Sequence, residues 1–157
     1  LSYPGGGRYI NGGSDSRLIA RVAEFVATHE IAANETYNVV NGDPLLWQDI
    51  WGSIAEYFGM SVGEPKPMRL SDEMPTQEAV WARVVKRHGL KPLGLHDLVG
   101  SSWQFADRVF AHGLENPADS VLSGLKLRQH GFADCFDTED ALIYWLDRMQ
   151  AEGLIPR

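Results

Sequence analysis

The chain has a single cysteine, Cys135, and therefore cannot form an intramolecular disulfide bond. That usage is typical of a reducing compartment, so we expect a cytoplasmic protein. No apolar run approaches the roughly 20 residues that a membrane-spanning helix needs, which predicts no membrane partner. The 14 basic residues are outnumbered by 21 acidic ones, for a formal net charge of −7. This balance argues against a nucleic-acid partner, because such a surface needs clustered Lys and Arg.

Several signatures of catalysis and metal binding are also missing. The five histidines never recur four residues apart on one predicted helix and no cysteine pair exists, so we predict no metal site. The Gly-x-Ser-x-Gly turn of serine hydrolases does not occur. The glycines Gly5, Gly6 and Gly7 lack the further spaced glycine and the βαβ context of a dinucleotide-binding turn. The acidic side chains Asp137, Glu139 and Asp140 suit the positive end of a predicted helix and need no catalytic explanation.

What the sequence does contain is the periodicity of a mostly helical domain. Apolar spacing and capping residues predict helices over Arg17–His29, Pro44–Gly59, Thr76–His88, Ser101–Ala111, Asp119–Gln129 and from Asp137 or Thr138 to Gly153. A short helical turn is predicted at Leu95–Leu98. Two or three short strands are predicted at Thr36–Val40, at Leu1–Pro4 as an edge strand, and near Pro67–Leu70. We therefore predict one α+β, mostly helical domain over residues 1–157.

Inward-facing stripes follow from the same spacing. On three helices the predicted buried residues are Leu18, Ile19, Val22, Phe25 and Val26; Val80, Trp81, Val84 and Val85; and Ala141, Leu142, Trp145, Leu146 and Met149. Asn41 and Gly42 predict a turn with positive φ, and Asp43 is predicted to cap the helix that follows it.

The helix around residue 105 carries an aromatic pair that cannot share one face. Trp103 and Phe105 are two residues apart, so they point in different directions. Trp103, Ala106, Val109 and Phe110 form a plausible inward set, which leaves Phe105 turned away from it. An apolar pocket is a natural destination for such a side chain.

Several segments, taken in order, resemble one enzyme family. They are Tyr3-Pro4-Gly5, the helix start Ser14-Asp15-Ser16-Arg17-Leu18-Ile19-Ala20, Asn38-Val39-Val40-Asn41-Gly42-Asp43 with Trp47 and Trp51 on the next helix, Val80-Trp81, His130-Gly131-Phe132, Trp145-Leu146-Asp147 and Leu154-Ile155-Pro156. Together they resemble the C-terminal part of the extended short-chain dehydrogenases of the epimerase/dehydratase superfamily. The branch that they resemble most is that of progesterone 5-beta-reductase and iridoid synthase.

That resemblance implies a missing partner domain. In the family a Rossmann domain binds NADPH or NADH, and a Tyr-x-x-x-Lys motif supplies the catalytic groups. Tyr144 is the nearest candidate here, but Arg148 stands where Lys is required. We therefore expect the catalytic Tyr and Lys, and the NAD(P)-binding Rossmann domain, upstream of Leu1. We expect no catalytic residue, no cofactor and no activity in this chain by itself.

The resemblance also implies a substrate site. An aromatic residue that lines the family's pocket corresponds to Phe105, and His112 and Leu114 fall at later pocket positions. Trp103 and Tyr9 complete the predicted substrate-binding set. The implied reaction is reduction of an activated C=C bond, in an enone or enal, or of a carbonyl group in a small apolar substrate. We also expect the lost partner to leave apolar surface that favours a homo-oligomer.

Two alternatives remain open at this point. A sugar-nucleotide epimerase or dehydratase of the same superfamily would need Arg or Lys facing a diphosphate, and the candidates here are Arg8 and Arg17. A non-catalytic NmrA-like binding module would need no chemistry at all, and an intact upstream Tyr-x-x-x-Lys would exclude it.

Overall fold

Eight α-helices and one pair of short strands make up the regular structure of the computed structural model, which describes all 157 residues. The helices are α1 Ser16–Thr28, α2 Trp47–Tyr57, α3 Leu70–Glu73, α4 Glu78–His88, α5 Leu95–Val99, α6 Ser102–Val109, α7 Leu125–Gln129 and α8 Thr138–Ala151. The strands β1, Asn11–Gly12, and β2, Pro44–Leu45, pair antiparallel with Asn11 opposite Leu45. The predicted α+β, mostly helical class is confirmed. None of the helices combines the length and the hydropathy that a bilayer crossing needs.

The chain divides into two compact units. Unit 1 contains residues 1–8, 47–117 and 143–157, and unit 2 contains residues 9–46 and 118–142. Helix α8 begins in unit 2 and continues into unit 1.

The core of unit 2 is built on the inner stripe of α1. Leu18, Val22 and Phe25 are spaced by four and three residues, so they share one face and are buried. They pack with Ala32, Leu127 and Phe132, and Tyr37, Val39 and Phe136 surround this cluster. Asp15 caps the helix by accepting a hydrogen bond from the Arg17 amide at 2.7 Å. The predicted stripe was too wide, because Ile19 is 47% exposed and Val26 36% exposed.

Asn41 joins three segments of unit 2. Its side-chain oxygen accepts from the Asp15 amide at 2.7 Å, and its side-chain nitrogen donates to Thr138 Oγ1 at 3.1 Å. Its amide donates to the Gly13 carbonyl, and its carbonyl accepts from the Phe136 amide. Asn41 is only 2% exposed, yet both polar ends of its side chain and both of its backbone groups are satisfied.

The predictions around Asn41 are partly right. Gly42 has a φ of +119°, which confirms the predicted turn. Asp43 does not cap α2. Its two carboxylate oxygens accept from the amide and the hydroxyl of Thr138, at 2.9 and 2.6 Å, so it caps α8 instead. The predicted strand Thr36–Val40 is wrong, since these residues pair with no neighbouring strand and bond instead through side chains.

In unit 1 the residues Leu1–Pro4 are extended alongside residues 61–68. The carbonyls of Leu1, Tyr3 and Pro4 accept from the amides of Gly63, Lys66 and Met68 at 2.9–3.0 Å. The predicted strands at Leu1–Pro4 and Pro67–Leu70 are therefore not regular strands, although Leu1–Pro4 makes strand-like hydrogen bonds.

Other helix predictions need smaller or larger corrections. Helix α2 starts at Trp47 rather than Pro44, because Pro44 belongs to β2. A 3₁₀ turn, Met74–Gln77, precedes α4. The predicted helix from Asp119 is wrong over its first half, since only Leu125–Gln129 is helical and the Asp119 carboxylate accepts from the Ile10 amide. The predicted inward residues Val80 and Trp145 are 42% and 40% exposed.

Replacing Asn41 by Ala should destabilise the protein strongly. The change leaves the buried Asp15 amide and the Thr138 side chain without their partners, which should lower the free energy of unfolding by about 2–4 kcal/mol. Asn38→Ala is the control, because Asn38 is exposed and makes one long bond, at 3.2 Å, to the Ser123 carbonyl. Urea unfolding of both variants measures the difference. Equal losses in the two variants would contradict the role assigned to Asn41.

Candidate functional site

Helix α6 in unit 1 separates its aromatic side chains as the spacing predicts. Trp103, Ala106, Val109 and the following Phe110 are half-buried, whereas Phe105 is 65% exposed. The helix ends in a tight turn in which Ala111, which is buried, has a φ of +53°. A left-handed backbone at a buried alanine is a strained conformation that its surroundings must hold in place.

The glycine run Gly5–Gly7 holds that turn. The Gly6 amide donates to the Phe110 carbonyl at 2.9 Å, and the Gly7 amide donates to the Leu114 carbonyl at 2.7 Å. A Cβ atom added to Gly6 would lie 2.1 Å from the Ala111 carbonyl oxygen. The two backbones can approach so closely only because the run has no side chains.

Four aromatic rings pack behind the same turn. Phe110 meets Trp47, Trp51 and Tyr3 edge to face, with ring centroids 5.0, 5.6 and 5.8 Å apart. The Tyr3 hydroxyl also donates to the Phe110 carbonyl at 3.2 Å. Edge-to-face packing of this kind stabilises a fixed arrangement. The end of α6 therefore lies on a rigid aromatic base.

Asp107 ties α6 to α3. Its carboxylate accepts from the amides of Leu70 and Ser71, at 2.6 and 3.0 Å, and so caps α3 from another helix. Burial alone would raise the pKa of Asp107, but the hydrogen bonds from Ser71 and Leu70, helped by nearby His112, lower it overall. The carboxylate is thus held ionised as a structural anchor rather than as a proton donor.

The structure gathers four of the five predicted substrate-binding residues in unit 1. Trp103 is half-buried, while Phe105 and Leu114 are 65% and 56% exposed. His112 is half-buried, and its Nδ1 atom is buried without a hydrogen-bond partner. The fifth residue, Tyr9, belongs to unit 2, where its hydroxyl accepts from Asn11. The binding role of all five residues stays a prediction.

The residues present do not fit a dinucleotide. The amides of Gly6 and Gly7, which a phosphate turn would direct at its ligand, already donate to protein carbonyls. The one sheet is a two-residue antiparallel pair rather than a parallel βαβ unit. No group of three or more His, Cys, Asp or Glu side chains is arranged to hold a metal ion.

Local contacts also define the surroundings of Tyr57 and of Arg148, the residue at the family's lysine position. Burial first, and then a hydrogen bond donated to Asp147 at 2.8 Å, raise the pKa of Tyr57 to about 12. Arg148, which stands at the lysine position relative to Tyr144, faces Glu152 at 3.4 Å.

Sequence reasoning missed two features of this region. The capping of α3 by Asp107 joins residues 36 and 37 positions apart, and no local pattern marks such a bond. The packing role of Gly5–Gly7 had a visible signal, since three successive glycines often mark a close backbone approach. What they approach could not be read from the sequence.

Comparison with known proteins defines the class of this chain. No family model matches it. It is 34% identical over 146 residues to the (S)-8-oxocitronellyl enol synthase of Nepeta racemosa, over 91% of this chain and 36% of that protein. It is 30% identical over 162 residues to the 3-oxo-Delta(4,5)-steroid 5-beta-reductase of Arabidopsis thaliana, over 99% of this chain and 40% of that protein. A Camptotheca acuminata (S)-8-oxocitronellyl enol synthase is 32% identical over 149 residues, covering 91% of this chain.

These similarities, with the motifs that carry them, assign the chain to the extended short-chain dehydrogenases. Within that class it belongs to the branch of iridoid synthase and progesterone 5-beta-reductase, as the sequence predicted. The chain spans a little over a third of the length of these relatives, 36% and 40% for the two described first.

Two glycine-to-alanine changes in unit 1 should shift stability in opposite directions. Gly6→Ala forces a Cβ against backbone atoms and should destabilise the protein by about 1–3 kcal/mol. Gly52 lies inside α2 with nothing within 4 Å of an added Cβ. Gly52→Ala should therefore stabilise it by about 0.5–1 kcal/mol. Thermal and urea unfolding measure both, and a Gly6→Ala protein as stable as the wild type would rule out the close approach.

Proposed function

We propose that this chain is the substrate-binding portion of an NADPH-dependent reductase. The substrate class is a small apolar molecule with an activated C=C bond, in an enone or enal, or with a carbonyl group. The names of the relatives, enol synthases and a steroid reductase, support reductase chemistry for the whole enzyme. Under this proposal the nicotinamide cofactor and the catalytic Tyr and Lys come from sequence N-terminal to Leu1. The role of this chain is to bind and desolvate the substrate.

The exposed side chain of Phe105 is the observation that carries the proposal. It is 65% exposed, although the other aromatic residues of its helix end are packed. The helix end that carries Phe105 is rigid, because the turn after α6 is held by Gly5–Gly7 and by the Tyr3–Trp51–Phe110 cluster. A fixed apolar wall of this kind excludes water from a flat conjugated molecule. The resemblance to the family also implies a pocket aromatic at this position.

The charged residues favour this proposal over a sugar-nucleotide enzyme. Such an enzyme would need a free guanidinium for the diphosphate. Arg8 pairs with Asp49 at 2.6 Å, and Arg17 pairs with Asp15 at 2.8 Å. Both candidate arginines are therefore already occupied by carboxylates of their own unit.

Neither of the two groups of unit 1 with a shifted pKa is suited to protonate a substrate. Tyr57, with its pKa raised to about 12, is a poor proton donor near neutral pH. Asp107 has a lowered pKa and is held ionised by the amides of α3. Both observations support the proposal that the whole enzyme uses catalytic residues upstream of this chain, while the present chain contributes the apolar wall of the substrate site.

Phe105→Ala separates a binding role from a structural one. In the 157-residue chain it should change the free energy of unfolding by less than about 1 kcal/mol, because an exposed side chain has little packing to lose. In the longer enzyme that includes the nicotinamide domain, the same change should lower kcat/KM for an enal substrate about tenfold or more, the effect expected when about 1.4 kcal/mol of substrate binding is lost.

Met60→Ala is the matched control, because Met60 is an apolar residue of the same unit and is 49% exposed. It should leave both stability and kcat/KM close to wild type. Two results would contradict the proposal. One is an unchanged kcat/KM in Phe105→Ala, and the other is a longer gene product that lacks Tyr-x-x-x-Lys and shows no reductase activity, which would favour the non-catalytic module.

A further inference from the structure

Residues 36–40 of unit 2 have the composition and the alternation of a β-strand. Thr, Tyr and Val favour the pleated surface of a sheet. Tyr37 and Val39 pack against the core that α1 builds, whereas Thr36 and Asn38 are exposed. This alternation is that of a strand with one buried face. The segment nevertheless belongs to no sheet, because the structure contains only the two-stranded pair of β1 and β2.

The backbone donors of this segment have no partners. None of the amides of residues 36–40 donates a hydrogen bond within the chain. Side chains hold the segment instead: Lys126 donates to the Thr36 carbonyl at 3.1 Å, and Ser14 donates to the Val39 carbonyl at 2.7 Å. Five successive unbonded amides in a segment that is held in place form an edge at which another strand can pair.

Helix α1, which packs on the same segment, has more apolar surface than unit 2 covers. Ile19 and Val26 follow the buried Leu18 and Phe25 in sequence, yet they are 47% and 36% exposed. They are seven positions apart, so they form one stripe beside the buried one. A helix is about 10 Å across and neighbouring strands are about 4.8 Å apart, so one helix covers two strands. Unit 2 offers α1 one strand-like segment, and a second strand beside it would cover this outer stripe.

The order of the elements gives the direction of the missing neighbour. In unit 2 helix α1 comes before residues 36–40, which is the second half of a strand–helix–strand unit. Such a crossover joins two parallel strands of one sheet. The first strand would precede α1, but β1 pairs with β2, and Leu1–Pro4 bonds to residues 61–68. No strand of this chain therefore lies where the neighbour belongs.

We propose that residues 36–40 pair with a parallel strand of the nicotinamide-binding domain, so that unit 2 extends the sheet of that domain. The inference rests on the proposed function, which places such a domain N-terminal to this chain. A dinucleotide-binding domain is an open, mostly parallel sheet, so its edge strand offers the matching backbone groups. The chain spans 36% and 40% of the length of two relatives, which leaves more than half of their length for such a domain. The incoming strand bonds to the free amides and covers the outer stripe of α1.

Amide hydrogen exchange of the 157-residue chain and of the longer enzyme tests the pairing. In the 157-residue chain the five amides should exchange fast, because they have no partners. In the longer enzyme one alternate set, either residues 36, 38 and 40 or residues 37 and 39, should exchange about tenfold or more slowly, since a neighbour on one edge bonds every second residue.

Equal exchange in the two proteins overturns the proposal. Protection that is already present in the 157-residue chain, together with a dimer in light scattering, overturns it as well, because a second copy would then occupy the edge.

A substitution on α1 tests the same contact through packing. Ile19→Asn should leave the melting temperature of the 157-residue chain nearly unchanged, because Ile19 is exposed there, and should lower that of the longer enzyme by several degrees. Met60→Asn is the matched control, at an apolar residue of unit 1 that is 49% exposed, and it should shift both melting temperatures equally. An equal effect of Ile19→Asn in the two proteins would contradict the packing of α1 on an added strand.

Reductase activity of the longer protein is measured separately from the pairing. Protection of residues 36–40 without reductase activity would overturn the proposed function and still support the pairing. Activity without that protection would overturn the pairing alone.

Discussion

The buried amide side chain of Asn41 is the constraint on which unit 2 depends. One residue satisfies the start of α1 through Asp15 and the start of α8 through Thr138, while its backbone bonds to Gly13 and Phe136. A buried polar group stabilises a fold when its polar atoms have hydrogen-bond partners, and each of the four polar atoms of Asn41 has one. Because the next two residues provide the turn at Gly42 and the α8 cap at Asp43, the Asn-Gly-Asp triplet works as a single junction.

In unit 1 the main constraint is the close approach of two backbone segments rather than a buried polar side chain. The turn after α6 is strained at Ala111, and it is held in place by contacts that leave Phe105 exposed. The side-chain-free run Gly5–Gly7 binds the turn from one direction, and the rings of Tyr3, Trp47 and Trp51 pack on Phe110. Under the proposed function these rigid supports favour binding at Phe105, because a fixed apolar wall loses little entropy when a substrate covers it.

The sequence was informative where the physical cause is local. The inner positions of the α1 stripe, the turn at Gly42 and the separation of Trp103 from Phe105 all depend on neighbours within one or two turns, and they were predicted correctly. The errors have long-range causes. Asp43 caps a helix 95 residues away, Asp119 bonds to Ile10, and Thr36–Val40 has strand-like residues with no strand beside it.

The most direct test of the central role of Asn41 is native-state hydrogen exchange of the amides bonded within its junction. The amides of Asp15, Asn41, Phe136 and Thr138 are bonded to one another's segments, so they should exchange slowly and through one common opening. Their protection should disappear together as denaturant is added. If these four amides exchange independently, or as fast as the amides of the exposed neighbours Thr36 and Asn38, then the junction does not hold unit 2 together and the account is wrong.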